Sequence, residues 1–333
     1  MRVGMNPQKQ SKKIKLQFQH RLIIIVFIPA MDGYYKNIFE VFKLCLESAI
    51  STINSSCAIT IVNNASCSVV TDFLNEKFRN KEINSVIHHL ENIGKMDALI
   101  GAAKGIREPL ITLSDVDILF KYGWQQEVEK LFVSLKNVGS VSPISVRKSI
   151  IYGTTTTLKN ILLKKVRLNF TAITDNFEEH NLYLKSINWK IEEDGNLKWP
   201  VIEKNKIKAI LGSGHQIMTL NRLIFHTTVP AEPSLTLVGN GSEFTYCDEP
   251  IDIAGGMRLA TYNNYAYHMG NTVENWMLLI QEKNLELMKL QKPPLTDYNK
   301  IIFKPKKQNK KIFLMKQRII VKLFNVFYGD KIK

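Results

Sequence analysis

Residues 114–120 read SDVDILF, and Asp115 and Asp117 are the side chains whose type and spacing point most directly to chemistry. In an extended run, residues two apart project from the same side of the backbone. Two carboxylates held that close repel unless a cation lies between or beside them, so a divalent metal is their natural complement. A hard cation held by one or two carboxylates completes its shell with water and phosphate oxygens, which makes a metal–diphosphate site the chemistry to look for. A D-x-D triplet alone is common, and a solvated strand end carries the same letters. What singles this one out is its position in the chain.

The elements that must position it alternate. LIIIVFI (22–28) reads as a buried strand and 35–51 as an amphipathic helix with Ile38, Val41, Phe42, Cys45 and Leu46 on one face. Further strands are expected at 58–64, 85–91, 109–117 and 137–144, and helices at 68–80, 94–105 and 121–136. Strand–helix alternation with turn residues between predicts an α/β fold: a Rossmann-like, mostly parallel sheet flanked by helices. In such sheets ligands bind beyond the carboxyl ends of the strands. Those ends read PAMD, NNAS, ENIGK and SDVD, which are small, polar and acidic. After about 145 the pattern is less regular: 150–205 could be a mobile insertion, strand character resumes at 206–220, and 275 onward reads as helical.

With 333 residues, 45% hydrophobic, 17 Gly and 11 Pro, the chain is neither disordered nor collagen-like. Four cysteines without a CxxC pair argue against a zinc ribbon or a disulfide scaffold and suit a reducing, cytoplasmic compartment. No apolar run reaches the roughly 20 residues a spanning helix needs. The basic stretch before LIIIVFIPA has the outline of a secretory signal, but its β-branched core and the MDGY that follows read as a buried strand opening into a functional loop. The net charge of +15 sits at the ends: residues 1–21 carry six Lys/Arg and no acid, and 300–333 carry eleven against Asp330 alone, so the body is close to neutral. A nucleic-acid-binding surface would be expected on the folded body, so no nucleic-acid partner is expected.

No P-loop, dinucleotide fingerprint or HExxH is present, and His88 and His89, inside an expected strand, read as structural. What is present, in order, is VFIPAMDGYY, ITIVNNAS and ENIGKMDALIGAAKGIREPLITLSDVDILF. This series resembles family 2 glycosyltransferases with the GT-A fold, of the type that builds bacterial surface polysaccharides. GSGHQIMT, GSEFTYCDEPID and YAYHMGN extend the likeness more loosely, so that it covers roughly 22–275.

The resemblance implies transfer of a sugar from a nucleoside diphosphate to an acceptor hydroxyl with inversion, assisted by Mn2+ or Mg2+. It assigns the metal to Asp117, with Asp115 on the ribose or the metal's water shell and His268 completing the metal shell or touching the diphosphate. For the donor nucleotide it implies Pro29, Ala30 and Asp32 at the first strand end, Asn63, Asn64 and Ser66 at the second, and Asn92, Gly94, Lys95 and Asp97 opening a helix toward the diphosphate. A plain helix cap is the other reading of 92–97. The general base falls to Glu243 or, second, to Asp248; Phe244 follows Glu243 where the family carries Asp. The QxxRW motif of processive synthases is missing, so one sugar per encounter is expected.

The tail, 304–327, places Lys307, Lys311, Arg318 and Lys322 on one helix face and Ile312, Met315, Ile319, Leu323 and Val326 or Phe327 on another. A basic amphipathic helix of this kind suits an anionic membrane surface and would bring the enzyme to a lipid-linked or glycan acceptor. The other reading has it packed on the enzyme body. The expected organisation is a basic leader (1–21), a GT-A domain (22–280) with a nucleotide half (22–145) and an acceptor half (146–280), and a helical basic tail (281–333). The rival functions are a sugar-phosphate nucleotidyltransferase, disfavoured by the lack of a GxGTR-type loop, and a non-enzymatic protein binding membrane or nucleic acid through its tails.

Overall fold

The computed structural model describes residues 4–10, 13–145, 147, 149–291, 294–306 and 308–329. Its first half alternates as expected: β1 (His20–Val26), α1 (Ile38–Thr52), β2 (Cys57–Asn64), α2 (Ser68–Arg79), β3 (Ser85–His89), α3 (Lys95–Lys104), β4 (Leu110–Ser114), β5 (Ile118–Phe120), α4 (Trp124–Ser134) and β6 (Val138–Ser142). The second half adds α5 (Thr155–Leu162), β7 (Arg167–Ala172), α6 (Thr174–Ser186), β8 (Lys198–Lys204), β9 (Ile207–Leu211), β10 (Ile217–Asn221) and α7 (Leu223–Thr227). A π-helical turn (Phe244–Asp248) then runs into α8 (Glu249–Ile253), followed by β11 (Met257–Thr261), β12 (Ala266–His268), α9 (Asn275–Leu290) and α10 (Lys310–Tyr328).

Ten strands form one sheet in the order β3-β2-β1-β4-β10-β6-β11-β9-β8-β7, while β5 and β12 pair separately. The parallel pairing lies in β3-β2-β1-β4 and again between β6 and β11. β10 enters antiparallel between β4 and β6, and β9, β8 and β7 continue the far side antiparallel. The irregular stretch 150–205 is therefore built into the fold: β7 and β8 extend the sheet, with α6 between them in sequence. The sheet is continuous across residues 22–145 and 146–280.

β1 shows why the sheet is central. Its alternate residues Leu22, Ile24 and Val26 face one apolar layer with α1, α2 and α4, and Ile23 and Ile25 face another with α3, α7 and α8. A strand covered on both faces needs a continuous apolar run, and LIIIV is one. Because β1 to β4 run parallel, their carboxyl ends PAMD, NNAS, ENIGK and SDVD share one edge.

One strand stops earlier than the pattern suggests. β4 ends at Ser114, where its antiparallel partner β10 begins at Ile217, and residues 115–117 turn before β5. The Asp115 N–H bonds the Gln216 carbonyl at 2.8 Å, which closes the ladder and starts the turn. Asp115 and Asp117 are thus carried on a turn between strands rather than on an extended run.

No helix among the described residues is long and apolar enough to cross a membrane. In α10, Phe313 and Phe324 are buried against the body, with Ile320, Val321 and Tyr328 partly covered beside them. Lys307 and residues 330–333 lie outside the described residues.

Candidate active site

The turn after β4 presents two carboxylates with different partners. Lys95, the first residue of α3, places its Nζ 2.6 and 2.9 Å from the two oxygens of Asp115. Asp117 meets His268 instead, with Nε2 3.2 Å from Oδ2. The β5–β12 pair builds this contact: Ile118 is opposite His268, and the Met269 N–H bonds the Asp117 carbonyl. Ser186 Oγ, at the end of α6, lies 2.9 Å from His268 Nδ1 and orients the ring.

The electrostatics of the two acids differ accordingly. Burial raises the Asp117 carboxyl above its ordinary range; His268 draws it down and Asp115 pushes it up. Its Oδ1 is buried and has no hydrogen-bond partner among the described residues. An unsatisfied carboxylate oxygen beside an imidazole is a donor set suited to a divalent ion. No cluster of three or more His, Cys, Asp or Glu side chains that could hold an ion occurs among the described residues, so Asp117 and His268 would supply two donors and leave the others to ligand oxygens and water. Asp115 is not drawn toward such an ion: Lys95 engages both its oxygens. Burial tends to lower the Lys95 ammonium, but the opposing pull of Asp115, with Glu243 and Asp117, leaves it raised and charged.

Glu243 lies at the start of the π-helical turn and is half-buried. Burial pushes its carboxyl up, but its own backbone N–H, Lys95, the Ser242 hydroxyl and His215 outweigh that and hold it below the ordinary glutamate range. Asp248 differs sharply. It has no exposed surface and is paired with the equally buried Arg258, with His215 Nδ1 3.4 Å away. Arg258 also donates to the carbonyls of Tyr152 and Ser213. The structure therefore does not present Asp248 to an acceptor: removing a buried pair from water requires that it stay paired, and Asp248 serves to fix Arg258 and the loops around it. Of the two, Glu243 is the partly exposed carboxylate and the one drawn down by Lys95.

The nucleotide-side residues are brought to the same edge, and several have their polar groups taken up within the protein. Asn63, buried, donates to Thr71 Oγ1, lies 3.0 Å from His88 Nδ1 and accepts from the Ser66 N–H. Asn64 donates to Asn92 Oδ1 and accepts from the Ile93 N–H. Ser66 Oγ accepts from the Ile28 N–H, tying the β1 and β2 ends together. These side chains shape the edge; the amides expected to meet a base are already bonded. His88, bonded on both ring nitrogens, is structural as expected. Pro29 and Asp32 are exposed and Ala30 half-exposed on the loop after β1.

The opening of α3 is also different from the expectation. Gly94 has φ +92°, and a Cβ there would lie 2.3 Å from the Thr236 carbonyl oxygen, so its close approach is to the chain's own backbone. The Lys95 N–H bonds the Leu237 carbonyl, and the Asp97 carboxylate accepts the N–H groups of Ser234 and Leu235. Residues 234–237 thus close the α3 N-terminus, leaving the Lys95 side chain to carry positive charge into the site.

Three residues that the sequence pattern did not single out complete the arrangement: Tyr183, His215 and Gln216. They line a cavity of about 430 Å³ together with Tyr152, His180 and Trp189. Gln216 Nε2 donates to the Tyr183 hydroxyl at 2.8 Å, and the Tyr183 ring packs edge-on to His268 at 6.1 Å. The cavity therefore adjoins both the Asp117–His268 pair and the turn bearing Asp115. The sequence carried one signal for it, the GSGHQIM stretch, which contains His215 and Gln216.

No protein-family model matches the chain, and no curated protein does. Among solved structures it is similar to the mannosyltransferase PcManGT from Pyrobaculum calidifontis in complex with GDP-Man and Mn2+, at 10% identity and TM-score 0.41 over 75% of this chain and 56% of that one. It is similar to S. aureus TarS 1-349, at 10% identity and TM-score 0.43 over 85% and 68%. GalNAc-T7 with UDP, GalNAc and Mn2+ gives 13% identity and TM-score 0.47 over 81% and 48%. This chain spans only about half to two thirds of their lengths, and every score is below 0.5. The functional reading is accordingly taken from the side chains themselves.

Proposed function

We propose that the protein is a metal-dependent, inverting glycosyltransferase of the family 2, GT-A type, moving one sugar from a nucleoside-diphosphate donor to a hydroxyl of a glycan or lipid-linked acceptor. The observation that carries this reading is the convergence at one sheet edge of Asp117 with His268, Lys95 with Asp115, and an ionised Glu243, beside an aromatic cavity.

Asp117 and His268 are the residues that would hold Mn2+ or Mg2+. When bound, the ion supplies charge neutralisation for the departing diphosphate. Lys95 adds a fixed cation to the same region, held in place by both oxygens of Asp115. Glu243 is suited to act as general base because it is the partly exposed carboxylate near Lys95 and, among the described residues, is free of a buried ion pair; its lowered pKa keeps it ionised while making it a weaker base than an ordinary glutamate. It takes the acceptor hydroxyl's proton as the acceptor oxygen bonds to the anomeric carbon and the bond to the diphosphate oxygen breaks. The leaving diphosphate carries away the bonding electrons. The cavity beside His268 offers Tyr152, Tyr183 and Trp189 as flat apolar surfaces with polar tips, suited to the face of an acceptor sugar ring.

The proposal includes attachment to the inner face of an anionic membrane, supported by the two apolar faces of α10. Phe313 and Phe324 dock on the body, whereas Ile312, Met315, Ile319, Leu323 and Val326 form an exposed stripe, flanked in helical projection by Lys311, Arg318 and Lys322. The two readings of the tail are thus compatible. Met315→Glu with Ile319→Glu should release the protein from anionic vesicles with its thermal stability unchanged; retained binding would remove the membrane from the proposal.

The test of the activity is release of nucleoside diphosphate from a panel of UDP-, GDP- and dTDP-sugars with and without Mn2+. Metal-dependent release from one donor, lost in Asp117→Asn, is the expected outcome. Turnover of a nucleoside triphosphate with a sugar phosphate instead would replace the reading with nucleotidyl transfer.

A further inference from the structure

A second cavity, of about 610 Å³, lies between α5 and α10. Asn137 and Gly255, which line it, precede β6 and β11, so it sits at the amino ends of strands whose carboxyl ends point toward the candidate active site. Five lysines surround it: Lys159, Lys165, Lys304, Lys306 and Lys316. None of them makes an ion pair among the described residues, whereas nearby Lys310 is held by Glu249 at 2.6 Å. Five uncompensated ammonium groups around one concavity repel, and an anion would relieve that repulsion.

The α5 N-terminus does not supply the attraction, because Asp252 already accepts the N–H groups of Thr155 and Thr156. The lysines do.

We propose that this cavity binds the phosphate headgroup of an anionic lipid. The lipid source follows from α10: Phe313, Lys316 and Ile320 line the cavity, and Lys316 lies between that side of the helix and the exposed stripe of Met315 and Ile319 in helical projection. A phosphate held among the lysines would leave its acyl chains beside that stripe. The site rests on the membrane attachment proposed for α10 and deepens it by naming where a lipid headgroup would sit, on residues that take no part in the transfer reaction.

The experiment uses the full chain and vesicles of phosphatidylglycerol in phosphatidylcholine. Lys159→Gln with Lys165→Gln should weaken vesicle binding about thirty-fold, each lysine close to the lipid contributing about a five-fold factor. The same loss of charge at Lys204 and Lys206, in the β8–β9 turn, should change binding by less than about three-fold if proximity to the cavity decides the effect. Equal losses in the two double variants would overturn the site. If inorganic phosphate raises the melting temperature as much as dihexanoylphosphatidylglycerol at equal concentration, the lipid assignment is wrong.

Discussion

Asp117 Oδ2 lies 3.2 Å from His268 Nε2, joining a turn after β4 to a strand some 150 residues later, while Asp117 Oδ1 is buried with no hydrogen-bond partner among the described residues. The β5–β12 pairing fixes this relationship, and Ser186 fixes the imidazole from behind. Under the proposed function, Asp117 and His268 would supply two donors to a divalent ion. Replacing Asp117 by Asn should therefore abolish Mn2+-dependent donor binding while the fold survives. Circular dichroism beside a donor titration checks this, and Mn2+-dependent binding retained by the variant would remove Asp117 from the metal.

Glu243→Gln should reduce turnover by about 10²- to 10⁴-fold, the range of a general base, with donor affinity nearly unchanged. An active Gln variant would reject Glu243 as the base. Asp248→Asn should behave differently: it leaves Arg258 buried without its carboxylate, so the expected loss is stability, about 3–5 kcal/mol. Denaturant unfolding of both variants separates the two roles.

How much of this the sequence could reveal depended on the range of the interactions. The strands β1, β2 and β4 were legible because each contains a short apolar run, β3 because turn residues bound it, and the parallel order places their ends together. The span 150–205 was not: β7 is half-exposed at the sheet edge, and its partner β8 follows only after α6, so no local periodicity marks the pairing. Asn63 and Asn64 could be read as available amides, yet their partners come from α2, β3 and the loop after it. The closing of α3 by residues 234–237 involves a segment far along the chain, which makes Gly94 and Asp97 look like ligand contacts in the sequence. In the tail the basic amphipathic pattern was legible, but not that Phe313 and Phe324 define a second, docked face.

Tyr183→Ala and Trp189→Ala should raise the KM for a glycan acceptor and leave donor-only hydrolysis largely intact. Their rings line the cavity beside His268 rather than the nucleotide edge. If donor hydrolysis falls as far as transfer does, the cavity is part of the donor site.

A pH-dependent contribution to stability is expected at the opposite end of β1. Buried Glu129 lies 2.8 Å from His20 Nδ1 and accepts from Tyr298 and Gln125. Burial pushes its carboxyl up, but the His20 and hydroxyl contacts outweigh this and hold it below the ordinary range. A depressed folded-state pKa adds stability above the unfolded value and loses it as pH falls through the folded value. Glu129→Gln should cost about 3–5 kcal/mol at pH 7, with the gap to the unaltered protein narrowing in acid. Thermal unfolding at pH 7 and at about pH 2.5 measures it; a gap unchanged over that whole range would mean that the carboxylate's charge is not what stabilises.

The most direct measurement is a thermal-shift series with UDP, GDP, dTDP, CDP and CMP, with and without Mn2+, on the unaltered protein and on Asp117→Asn. A ligand at about 100 times its dissociation constant adds roughly 2.7 kcal/mol, enough to move the midpoint visibly. The expected result is that one nucleoside diphosphate stabilises the protein only when Mn2+ is present, and that Asp117→Asn loses this effect. Equal stabilisation with and without the metal, or a full shift in Asp117→Asn, would contradict a metal–diphosphate site at Asp117 and His268.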